Sequence, residues 1–211
     1  SRRGGWCFEQ NLLLMDALRQ IGYRIAGLAA RVTWMRAAAL PAPARTHMLL
    51  RVDLPEGPHV VDVGFGGLTV TAPVALDPAT VQHTPHEPVR IISLDSGYEL
   101  EVLVGGRWTA LYRFTLDEQF LADYELASWY LATHPESRFV QSLMAARPDD
   151  DRRYSLQNTT LTTHPLEGGA ADRRQLADVD ELLGVLRETF LLEVVATPEV
   201  VRGLERLFRP G

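Results

Sequence analysis

The 211-residue chain is 46% hydrophobic and 23% charged, which is enough apolar material for one or two folded domains with a real core. A formal net charge of −6 leaves no electrostatic footprint for nucleic acid or an anionic membrane, and no apolar run is long enough to cross a bilayer. The single cysteine excludes an internal disulfide and fits a reducing, cytoplasmic compartment.

The chain opens at Ser1-Arg2-Arg3, without a Met and almost on top of that cysteine. A helix carrying a nucleophile normally has chain packed behind it, so an N-terminal segment is expected to precede this one. Cys7 follows Gly4-Gly5-Trp6, and from Phe8 onward apolar residues recur as Phe8, Leu12, Met15, Leu18 and Ile21, a helical period. Gly22 stands where a C-terminal cap belongs. In the first turn, Cys7 faces unsatisfied backbone N–H groups and the positive end of the helix dipole, both of which favour thiolate. The competing reading is a buried structural cysteine.

Residues 24–36 then read as a strand and 37–45 as a Pro/Ala connection. A β-hairpin is expected from Thr46–Leu54 and Val60–Val63, joined by a turn at Pro55-Glu56-Gly57-Pro58 that holds His59. Three more strands are expected at 89–94, 98–104 and 107–114, the last two joined tightly at Gly105-Gly106. Helices are expected over 117–131 and 175–192, the latter from the period of Leu182, Leu183, Leu186 and Phe190. Pro198–Phe208 reads as a short closing helix. The acidic run Asp149-Asp150-Asp151 reads as a solvated loop, as does the Thr-rich stretch around His164.

A thiol attacks acyl groups well only as thiolate, which requires a base within reach and a group to orient that base. His47 and Asp62 fit those roles, on the two strands of one hairpin and close to opposite each other. Asp62 is the more telling, because an acid among Val60, Val61 and Val63 needs a partner to justify burial. His83, His86 and Glu87 superficially resemble metal ligands, but Pro85 and Pro88 extend the segment and no fourth ligand is evident, so no metal is expected. Gly64-Phe65-Gly66-Gly67 is weak as a phosphate cradle. It reads either as a strand-ending turn with an aromatic plug or as glycine backbone approached closely by an acyl donor.

Together RGGWCFEQN, the Thr46-His47 pair and VDVGFGG, at these intervals, resemble the arylamine N-acetyltransferase family, closest to its actinobacterial members. The resemblance continues through ASWY (127–130) and THPESRF (133–139) and covers nearly the whole chain. It implies an α+β fold with a cysteine-protease-like triad. Residues 1–23 would end an N-terminal helical domain carrying Cys7, residues 24–128 would form a central antiparallel β-barrel with His47 and Asp62, and residues 129–211 a C-terminal α/β lid. By the same resemblance Cys7, His47 and Asp62 work by ping-pong transfer. Acetyl-CoA serves as co-substrate with no bound cofactor, and an arylamine, arylhydrazine or N-hydroxyarylamine accepts the acetyl group. Trp34, Phe65 and Phe139 would then line the acceptor pocket, and Thr46, Gly66, Gly67 and Phe139 would contact CoA or the acetyl group. Related alternatives are an amide synthase that releases or cyclises a polyketide from a carrier-protein thioester, and a Cys-His-Asp hydrolase or transglutaminase-like enzyme. Neither nucleic acid nor membrane is an expected partner, and the sequence does not fix the oligomeric state.

Overall fold

The apolar period at the front of the chain folds as α1 (Cys7–Gln20). Glu9 accepts a hydrogen bond from the Trp6 N–H at 3.3 Å. At the other end Gly22, with φ at +97°, completes a Schellman cap: its N–H bonds to the Arg19 carbonyl and that of Tyr23 to Leu18. The computed structural model describes residues 2–37, 39–166 and 169–209, so Ala38, inside the expected 37–45 connection, lies outside the described residues. The chain divides into two units, one spanning residues 5–134 and the other joining residues before Gly5 to the chain from Pro135 onward.

The first unit is built on seven antiparallel strands: β1 (Arg24–Val32), β2 (His47–Leu54), β3 (Gly57–Val61), β4 (Val74–Ala75), β5 (Val89–Leu94), β6 (Gly97–Val104) and β7 (Arg107–Phe114). Their order is β4-β3-β2-β1-β7-β6-β5. Bridges from Pro78 to Ile91 and from Gln82 to Val89 bring the two edges together, so the sheet is a nearly closed barrel. Leu28, Ala30, Leu49, Val60, Ile91, Leu100 and Leu111 fill its interior. On the outer face Met48 and Leu50 pack with Phe8 of α1 and Tyr124 of α2 (Leu121–Thr133). β2 is thus covered on both sides, which explains why its first four residues and Val52 are all buried. Gly27 admits α2: a side chain there would meet the Tyr124 hydroxyl at 2.5 Å, and that hydroxyl donates to the Leu28 carbonyl.

Several boundaries differ from expectation for local reasons. β1 stops at Val32 because the Thr33 and Trp34 N–H groups both turn to the Leu111 carbonyl and Met35 takes φ +54°. Helix α2 starts at Leu121, since Gln119 is still bridged to Gly27 and the Asp123 side chain caps the Phe120 N–H. His59 belongs to β3 and not to the preceding turn. Gly105 and Gly106, both at positive φ, make the expected tight β6–β7 hairpin.

The second unit holds a four-stranded antiparallel sheet of β8 (Met144–Pro148), β9 (Arg152–Gln157), β10 (Thr160–Pro165) and β11 (Asp172–Gln175), in the order β11-β10-β9-β8. It also contains α3 (Arg138–Gln141), α4 (Val179–Glu188) and α5 (Pro198–Glu205). Leu156, Leu161, Leu176, Leu182, Leu186 and Phe190 form its core. The helix expected over 175–192 is shorter, because Gln175 pairs in β11 and Asp178 caps α4 by accepting the Glu181 N–H. His164 lies in β10, not in a loop. The closing helix α5 begins as expected, with Thr197 as cap and Pro198 in the first turn. Among the described residues no helix is long and apolar enough to cross a membrane.

Candidate active site

In the β2–β3 ladder Leu50 pairs with Val61, so Asp62 lies just past the paired residues and not opposite His47 as expected. The chain leaves the ladder because Asp62 caps its own turn. The Gly64 N–H donates to Oδ1 at 2.9 Å, and the Thr69 hydroxyl donates to the Asp62 carbonyl at 3.0 Å. From there Asp62 Oδ2 stands 2.6 Å from Nε2 of His47, the first residue of β2. That leaves Nδ1 of the ring for Cys7, whose thiol also acts on the imidazole. The Cys7 thiol makes a long 3.9 Å contact to the Thr46 carbonyl, and Cys7, His47 and Asp62 are all buried. The structure therefore brings the three together from α1, β2 and the end of β3.

Burial alone would lower the His47 pKa, but the Asp62 charge and hydrogen bond, with a smaller contribution from Cys7, outweigh it and push it up to about 10. Burial works against the Asp62 anion too. The His47 charge and hydrogen bond, the Gly64 N–H and the Asn11 amide prevail and hold the carboxyl below its usual range. The pair is thus a buried imidazolium–carboxylate next to a thiol, an arrangement that stabilises a thiolate and can return its proton to a leaving group. Two rings flank the imidazole: Tyr112 at 5.1 Å and Phe65, edge-on, at 5.3 Å between centroids. Burial first, and the Asp62 charge second, push the Tyr112 phenol well above its ordinary value, so it stays neutral beside the anion.

The remaining expected residues divide. Trp34 and Phe65 pack against the barrel core. Thr46 presents its carbonyl to Cys7. Gly64 is not open to an incoming donor, because α1 fills that space: a side chain there would come within 2.4 Å of the Cys7 Cα. Gly66 has φ +91°, and a side chain at Gly67 would meet nothing within 4 Å. Phe139 lies on α3 in the second unit, about half exposed. His86 Nδ1 is 3.0 Å from the Thr71 hydroxyl, and among the described residues no cluster of three or more His, Cys, Asp or Glu is placed to hold a metal. Two residues in the site had no assigned role in the sequence reading, Asn11 and Tyr112. A polar residue one helical turn after Cys7, on the buried face, was a usable signal for the first; nothing in the β7 pattern marked the second.

A family model for N-acetyltransferases matches residues 1–200. The arylamine N-acetyltransferase of Mycobacterium tuberculosis is 42% identical over 195 residues, 92% of this chain and 68% of that protein. The chain belongs to the arylamine N-acetyltransferase family. A member of the family from Mycolicibacterium smegmatis is 40% identical, over 92% of this chain and 70% of its own length. The solved structure of Mycobacterium marinum arylamine N-acetyltransferase in complex with CoA matches with a TM-score of 0.93 at 37% identity, covering 98% of this chain and 77% of that one. None of these three relatives is an amide synthase, a hydrolase or a transglutaminase, and those alternatives find no support in them.

Proposed function

We propose that the protein transfers an acetyl group from acetyl-CoA to the amine of arylamines, arylhydrazines or N-hydroxyarylamines through an acetyl-Cys7 intermediate. The observation that carries this reading is the buried His47–Asp62 pair, 2.6 Å apart, against the chain's only cysteine, in a member of this family. The Cys7 proton rests on the His47 imidazolium, and the thiolate attacks the acetyl-CoA carbonyl carbon. The tetrahedral adduct collapses with cleavage of the CoA carbon–sulfur bond, and the imidazolium returns its proton to the departing CoA sulfur. Thioester is exchanged for thioester, so this half is nearly isoenergetic. The amine nitrogen then attacks acetyl-Cys7, the Cys7 sulfur leaves as thiolate, and the surplus amine proton passes to His47, which restores the thiolate–imidazolium pair. Asp62 keeps Nε2 as N–H and stabilises the imidazolium in both halves.

Trp34 and Phe65 line the acceptor pocket in this reading, and Thr46, Gly66 and Gly67 contact CoA or the acetyl group. Supporting it, Phe65 lies against His47, the Thr46 carbonyl lies by the thiol, and the space beside Gly67 where a side chain would stand is empty. The protein acts in the cytoplasm, where its single thiol stays reduced.

Steady-state kinetics test the proposal. Double-reciprocal plots against acetyl-CoA at several arylamine concentrations are expected to give parallel lines. Cys7→Ser should abolish turnover without loss of the cooperative thermal transition. Intersecting lines, or turnover retained without the thiol, would contradict it.

A further inference from the structure

Asn11 is fully buried, at 0% exposure, yet it is polar and lies on the helix that carries Cys7. It stands one turn beyond Cys7, on the same helix face. Its amide makes three hydrogen bonds to the hairpin that supplies the other two site residues. Nδ2 donates to the Met48 carbonyl at 2.8 Å and to Asp62 Oδ1 at 3.1 Å, and Oδ1 accepts from the Val63 N–H at 3.1 Å. Both amide hydrogens and the amide oxygen are therefore engaged, a set that neither a carboxylate nor an apolar side chain can reproduce.

The contact it organises is tight. A side chain at Gly64 would meet the Asn11 Nδ2 at 2.9 Å and the Cys7 Cα at 2.4 Å, so the turn after Asp62 is pressed directly onto the first turns of α1. Asp62 Oδ1 is held by Asn11 and Gly64, which leaves Oδ2 as the oxygen aimed at His47. The same amide that fixes the carboxylate's rotation also ties the nucleophile's helix to β2 and to the end of β3.

We propose that Asn11 is a positioning residue of the acyl-transfer site, which fixes the Asp62 carboxylate toward His47 and locks Cys7 in register with both. The proposal rests on the Cys7–His47–Asp62 reading above. Without the amide, Asp62 loses one of its N–H donors and its rotational restraint, the imidazolium is less stabilised, and the thiol is less readily deprotonated.

The test is the pH dependence of Cys7 alkylation by iodoacetamide in the 211-residue protein, read by intact mass, with thermal unfolding in parallel. Asn11→Ala is expected to move the alkylation profile to higher pH and to slow alkylation at pH 6 by about tenfold or more. A purely structural residue would lower the melting temperature and leave the profile in place, and that result would overturn the proposal alone. Wild-type protein that alkylates only at alkaline pH would overturn it together with the reading it rests on. If Asn11→Ala does not fold, Asn11→Asp decides. It keeps the shape but sets a second carboxylate against Asp62, and the pair retains a shared proton to higher pH than the unfolded chain does. Its melting temperature should therefore fall further below wild type as pH rises from 5 to 8. An equal deficit at both pH values, or failure to fold at both, would overturn the proposal.

Discussion

His47–Asp62 and Arg152–Asp151 are ion pairs of the same length, 2.6 Å, in opposite surroundings. The first pair is 4% and 0% exposed at its side chains, the second 43% and 66%. At the β8–β9 turn the charges stay solvated, and their attraction is screened by water and salt. In the first unit, burial penalises each ion alone, so each is stable only because the other is present. Distance is therefore a poor guide to what a charge pair does. The buried pair can govern a neighbouring thiol because it has no water to relax against, and the exposed pair has nothing comparable to act on.

The sharpest break of that comparison removes one partner from each pair. Asp62→Ala leaves a buried imidazole without its counterion and is expected to cost about 3–5 kcal/mol of stability. Asp62→Asn and His47→Gln keep the shape and should slow acetylation of Cys7 by about 10³–10⁴-fold in rapid-mixing experiments, because the base loses its tautomer or its proton-accepting nitrogen. A loss of less than tenfold in either would detach the pair from the chemistry.

A smaller effect separates the two regions by pH. His47 titrates near 10 when folded against 6.5 ordinarily, so its contribution to stability is full below 6.5 and is lost as pH rises toward 10. Asp62 is shifted downward, so its contribution is present above 3.8 and is lost as pH falls through the depressed value. The melting-temperature gap between wild type and His47→Gln should therefore be widest between about pH 4 and 6.5 and shrink toward pH 10. A gap that stays constant across that range would contradict the charge assignment. At the bottom of the scale, Asp151→Ala should leave the melting temperature unchanged at every pH, and a clear drop would show that the ion pair at the β8–β9 turn is not inert.

The sequence made legible what chemistry or backbone geometry demands of particular residues. Cys7 at a helix start, a His and an Asp with apolar neighbours, and the Gly105-Gly106 turn each require those residue types. Gly22 was readable as a cap for the same reason. Asp62 was legible as a residue but not as a position, since its departure from the ladder depends on Gly64, Thr69 and Asn11 reaching it from elsewhere. The four strands of the second unit were missed because they are short and partly exposed; β11, Asp172–Gln175, has no buried residue at all and is a strand only because β10 pairs with it. The shortened α2 likewise reflects a tertiary contact, Gln119 with Gly27, that no local pattern announces.

The central claim is that an acetyl group rests on Cys7 between donor and acceptor. Intact mass after mixing the protein with acetyl-CoA and no amine tests it directly, and since none of the 211 residues is lysine, no ε-amine competes for the label. A single acetyl adduct, discharged by an arylamine or hydrazine and absent in Cys7→Ala, is the predicted result. No adduct, or one that persists in Cys7→Ala, would contradict acetyl transfer through this thiol.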